Sequence, residues 1–194
     1  MLNAEIDQEK QYWTEVLRRI VVIVKKLTSR GLPLRGSDEV LGSSHNGNFL
    51  MAVELLAEFD PFLKEHIKNY GRPGSGKTNY LSSTTYEEIV YIMAQRCREV
   101  ISANVRIAKY FSIIVDSTPD ISHVDQLSIV IRYFQECGSP TEVFLKLVPT
   151  SGHKSEQLYN IISETLASFQ IILDDCRGQS YDNAANMSGL YTGL

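Results

Sequence analysis

FSIIVDSTPDISHVDQLSIVIRYF, residues 111–134, decides how this chain folds. FSIIVD (Phe111–Asp116) is a short β-branched and aromatic run that stops on a carboxylate, and LSIVIRYF (Leu127–Phe134) is a second such run. Side chains of this kind pack well on a pleated surface, so both read as strands. The polar residues between them, STPDISHVDQ, read as a turn, and so short a connection suits antiparallel neighbours. EVFLKLV (Glu142–Val148), reached through Cys137-Gly138-Ser139-Pro140, adds a third strand.

Downstream, Ser155–Phe169 places Leu158, Ile161, Ile162, Leu166 and Phe169 at helical spacing, and Cys176–Asp182 reads as a fourth strand. A helix between strands three and four permits a parallel crossover that returns strand four beside strand one. The predicted class is therefore mixed α/β: three antiparallel strands, a helix, and a parallel fourth strand. Upstream the periodicity is helical throughout. Trp13, Val16, Leu17, Ile20, Val24 and Leu27 recur every three or four residues, with Trp13 as a core anchor and Gly31 where a helix C-terminal glycine belongs. A second helix is expected from about residues 46–48 through Ala57. Asp60-Pro61 reads as an N-cap and first helical residue of a third helix, and Thr84 with Glu87 as a capping box opening a fourth that ends near Ala108. These patterns divide the chain into a helical region, 1–109, and a sheet region, 110–194.

The bulk properties bound the function. With 43% hydrophobic and 22% charged residues the chain has the composition of a globular protein. Its longest apolar run, Ile20–Val24, is far short of a membrane span, and MLNAEIDQEK has no signal-peptide character. The expected setting is nuclear or cytoplasmic. Cys97, Cys137 and Cys176 are odd in number and widely spaced, which suits reduced thiols better than a disulfide or zinc framework. His45, His66, His123 and His153 show no ligand-like spacing either. A formal charge of −4 argues against a free-standing nucleic-acid grip, so any DNA contact needs a local basic patch or another region.

Asp116 and Asp182 are the candidate site. They stand 66 positions apart in sequence, yet parallel strands one and four would bring both to one sheet edge. Close carboxylates repel unless a cation lies between them, and Mg2+ or Mn2+ takes such oxygen donors. Asp120 and Asp125 read as solvated turn residues, and Asp174 and Asp175 as a solvated strand entry. GRPGSGKT (Gly71–Thr78) fits the phosphate-loop pattern through Gly71, Gly76, Lys77 and Thr78, which makes nucleotide binding a rival reading. Its context is poor: a helical pattern precedes it and NYLSS separates it from the next helix, where such a loop needs a strand before and a helix directly after.

FSIIVDSTPDISHVDQLSIVIRYF followed by CRGQSYDNAANMSG resembles the hAT superfamily of transposases. More closely it is similar to the transposase-derived proteins of the zinc finger MYM-type-like class, and WTEVLRRIVVIVKKLTSRGLPLRG and NGNFLMAVELLAEFDPFLKEHI look like their helical region. The resemblance spans about Tyr12 to Gly189. It implies a ribonuclease-H-like fold with a site of three acids, Asp116 matching the first and Asp182 the second. The family's third acid, a glutamate, follows a large helical insertion, and NAANMSGLYTGL contains no acid. The resemblance thus implies a truncated, domesticated relative lacking strand five and leaving a sheet edge open. The family's zinc-binding DNA module and dimerisation region are also outside the match. Such a protein is expected to be catalytically silent in this form and to act through DNA, a protein partner or a second copy. The alternative is a fragment of an active transposase performing metal-dependent strand transfer.

Overall fold

Residues 111–134 form the two central strands of a four-stranded sheet, β1 (Phe111–Pro119) and β2 (Asp125–Phe134). The computed structural model describes residues 2–72, 78–119, 124–150 and 155–181. With β3 (Pro140–Thr150) and β4 (Cys176–Tyr181) the sheet order is β3-β2-β1-β4. β1 pairs antiparallel with β2, β2 antiparallel with β3, and β1 parallel with β4. The mixed α/β class and the parallel return of strand four are both present.

The strands outrun their apolar runs. Ser117, Thr118 and Pro119 pair with Leu127, Gln126 and Asp125, so the ladder takes in polar residues expected in the turn. Backbone amides and carbonyls gain partners there whatever the side chain. Asp125, expected as a solvated turn residue, is instead half-buried at the start of β2. β3 carries Pro140 and Pro149, which an edge strand tolerates.

By contacts the chain divides into two units, Met1–Ala94 and Gln95–Leu194. The helix that precedes the sheet, α4 (Ser83–Ala108), runs through this boundary, so its second half is counted with the strands. In the second unit, Phe111, Ile113 and Val115 of β1 and Leu127, Ile129, Ile131 and Tyr133 of β2 point to one face of the sheet. They meet Val105 of α4 and Leu158, Ile162 and Leu166 of α5 (Ser155–Ser168). Burying each of these large side chains stabilises by about 2 kcal/mol.

The first unit holds α1 (Leu2–Thr28), α2 (Gly47–Phe59), α3 (Pro61–Tyr70) and the first half of α4. Val16, Ile20 and Val24 of α1 pack with Phe49 and Val53 of α2, Leu63 of α3 and Tyr86 of α4. Gly31 ends α1 at φ +66, with the Leu32 amide bonded to the Leu27 carbonyl at 3.1 Å. Asp60 caps α3 by accepting the Leu63 amide at 3.1 Å while taking Arg19 Nε at 2.6 Å. The capping box expected at Thr84 and Glu87 is replaced. α4 starts at Ser83, Ser82 Oγ accepts the Thr85 amide at 3.4 Å, and Glu87 pairs with Arg35.

Candidate functional site

Asp116 sits on β1 with its side chain on the face opposite the core. Strand side chains alternate, so Phe111, Ile113 and Val115 point inward and Ser112, Ile114 and Asp116 outward. Asp116 is exposed and stands opposite Ser128 of β2, whose hydroxyl donates to the Asp116 backbone carbonyl at 3.2 Å. Among the described residues no hydrogen bond or ion pair reaches its carboxylate.

The parallel register between β1 and β4 runs through Ile113↔Gln179, Ile114↔Ser180 and Val115↔Tyr181. Its last described pair is Val115 with Tyr181, and the residue that follows each of these in sequence is an aspartate. Asp182 itself lies outside the described residues, as do Asp120 and His123. Among the described residues no three His, Cys, Asp or Glu side chains come together as a metal site. Asp116 offers the oxygen donors of one carboxylate, a donor type that magnesium and manganese accept. At the entry to β4, Leu173–Asp175 form a 3-10 turn in which Asp174 is exposed and its carbonyl accepts Arg177 Nη1 at 2.7 Å.

The opposite end of β1 carries a cluster that sequence reading missed. The Arg177 guanidinium lies 4.4 Å from the centre of the exposed Tyr110 ring, and Lys109 Nζ lies 5.3 Å from it. Two cations against one aromatic ring form a local basic patch on an acidic chain. Arg177 is remote from Lys109 in sequence, and only the parallel return of β4 brings them together.

Gly71 of the phosphate-loop-like stretch ends α3, its amide bonding the Ile67 carbonyl at 2.7 Å, and Thr78 is exposed in non-helical chain. Gly76 and Lys77 lie outside the described residues. The flanks are thus a helix before and an irregular stretch up to Ser83 after, and not the strand and helix that phosphate binding needs.

His66, one of four scattered histidines in sequence, is fully buried. Its Nε2 lies 2.9 Å from the Asn79 carbonyl, which can only accept, so that nitrogen carries the proton. Nδ1 then accepts from the Tyr12 hydroxyl at 2.7 Å. Burial pushes the imidazole pKa below its ordinary value, against the smaller opposing effect of the Asn79 bond. Trp13, Tyr70 and Tyr80 surround this pair, with ring centres of Trp13 5.4 Å from each of the two tyrosines. The arrangement is a packed polar joint among α1, α3 and residue 79. All three cysteines are free, and the pKa of the exposed Cys137 thiol is lowered by hydrogen bonding with the side chain and backbone of Ser139.

Among known proteins, the 52 kDa repressor of the inhibitor of the protein kinase from Homo sapiens is 22% identical over 183 residues, covering 93% of this chain and 23% of that protein. Its Mus musculus counterpart is 23% identical over the same length and with the same coverage. The chain thus spans less than a quarter of these relatives. Residues 1–193 match the family DUF4371, described as the ZMYM1/FAM200 RNase-like domain. The match takes in both helices and sheet, and the chain belongs to that family.

Proposed function

We propose that this is a ribonuclease-H-like domain descended from a hAT transposase, which works by contacting DNA or a protein partner and no longer cuts DNA in this form. The observation that carries the descent is the β1–β4 register. Its last described pair, Val115 with Tyr181, precedes the two aspartates expected to be the inherited acids. A binding role draws support from the relatives, which are named as a repressor and not as a nuclease. Among the described residues, the Lys109–Tyr110–Arg177 patch has the chemistry to meet a phosphate backbone.

The test is a strand-cleavage and strand-transfer assay with Mg2+ and with Mn2+ on supercoiled and linear DNA. No product is expected. Reproducible nicking that disappears in Asp116→Ala would overturn the non-cleaving role. It would favour the second reading, a piece of an active transposase in which Asp116 and Asp182 are two of three acids. That reading rests on the same register, and the assay separates the two. Nuclear placement and self-association belong to this proposal as well, through its descent.

A further inference from the structure

Acids outnumber cations in residues 95–194, yet four of the eight Lys and Arg there form one row without acid partners. The ion pairs of this unit join Arg96 to Glu99 and Arg132 to Glu142, and among the described residues no carboxylate pairs with Arg98, Arg106, Lys109 or Arg177. Arg98 and Arg106 stand two turns apart on α4, about 80° from one another around the helix. Neutral groups position them instead. The Arg98 guanidinium lies 4.5 Å from the Phe169 ring centre and donates to Ser168 Oγ at 3.4 Å, and Arg106 donates to the side-chain oxygen of Gln170. Lys109 and Arg177 continue the row at Tyr110. Lys109 and Gln170 both hold positive φ, +64 and +55, directly after α4 and α5, where glycine sits without strain. Attraction to the C-terminal end of α4 accounts for Arg106 and Lys109. It accounts neither for Arg98, in the middle of the helix, nor for Arg177 on β4.

We propose that Arg98, Arg106, Lys109 and Arg177 form the seat for a DNA duplex, each meeting a backbone phosphate. This rests on the DNA-contacting reading above and names the form of the nucleic acid. The row is long enough: Arg98 to Lys109 spans about 16 Å, and each strand of a duplex carries a phosphate about every 3.4 Å of axis. A single strand fits less well, because its binding draws on rings open to stacking bases. Phe169 is buried, and the exposed Tyr110 ring is already engaged by Arg177 and Lys109. Phosphate contacts carry no base information, so the grip is indifferent to sequence.

The experiment titrates the full chain onto a short labelled DNA duplex by fluorescence anisotropy across a range of salt. Four phosphate contacts predict a slope of log K against log salt of about −3 to −4, or roughly a 100-fold loss between about 50 and about 200 mM. The double variant Lys109→Gln, Arg177→Gln should flatten that slope by about two. Arg177→Lys, which keeps the charge, should retain it, as should Lys146→Gln, an exposed cation on β3. Circular dichroism checks that each variant folds. Duplex binding whose slope survives the double variant would refute the row while leaving DNA contact intact. Tighter binding to a single strand of the same length would refute the duplex assignment. No duplex binding even at about 50 mM salt would remove both the row and the DNA reading, and leave a protein partner.

Discussion

His66 shows how one side chain ties local chemistry to stability. In the folded state it is buried and neutral, donating to Asn79 and accepting from Tyr12. Its folded pKa lies below the unfolded value of about 6.5, so the unfolded chain binds the proton first as pH falls. The stability tied to this group is complete above that value and declines from it downward, until the folded pKa is passed. The urea midpoint of the helical unit is therefore expected to fall between pH 7 and pH 5, and a midpoint unchanged over that interval would refute the buried neutral assignment. Tyr12→Phe at pH 7 should cost about 1 kcal/mol by leaving Nδ1 without its donor. Asp60 acts in a lower window. Burial alone would raise its pKa, but Arg19 and the Leu63 amide outweigh that and hold it below the ordinary value, so its contribution goes only under strongly acid conditions. Asp60→Ala should cost roughly 1–2 kcal/mol in urea unfolding at pH 7, through the lost cap and the stranded Arg19. The Asp60 cap was legible in sequence because Asp-Pro before a helical pattern has few other uses. His66 was not, since nothing in a single sequence distinguishes a histidine that finds two partners in the core from one in water.

Among the elements, the strands were legible as β-branched runs, and their ends were not. The ladder draws in polar residues such as Ser117 and Thr118 for backbone reasons that side-chain patterns do not carry. Glycines divide in the same way. Gly31 was readable as a helix end, and nothing lies within 4 Å of a Cβ placed on it. Gly36 and Gly47 gave no signal, yet their backbones cross: a Cβ on Gly36 would stand 2.1 Å from the His45 carbonyl oxygen, and one on Gly47 2.3 Å from the Gly36 nitrogen. Gly31→Ala should thus cost about 1 kcal/mol, the penalty of a positive φ. Gly36→Ala should cost well over 2 kcal/mol, because backbone cannot step aside. Thermal unfolding of the two variants side by side checks the contrast, and equal losses would count against the crossing.

For the whole chain, the two hydrophobic clusters share no residue, one drawn from Val16 to Ile89 and the other from Val105 to Ile171. Ile131→Ala in β2 should cost about 2–5 kcal/mol and speed amide hydrogen exchange in the sheet. Val53→Ala should do so in α1 and α2 instead. Exchange mass spectrometry on both variants reads this directly, and equal loosening everywhere would deny separate cores. The topology was legible because a helix between strands three and four permits a parallel return. The basic cluster around Tyr110 was not, because that same return assembles it from distant segments. Asp116 lies at the other end of β1, turned to solvent and outside both cores. Folding thus gives natural selection little reason to keep an acid there. In a saturation-mutagenesis screen, position 116 should tolerate almost any polar residue when abundance is scored. Intolerance appearing only when cellular activity is scored would mark the aspartate as retained for its chemistry, and indifference in both would mark it as a fossil.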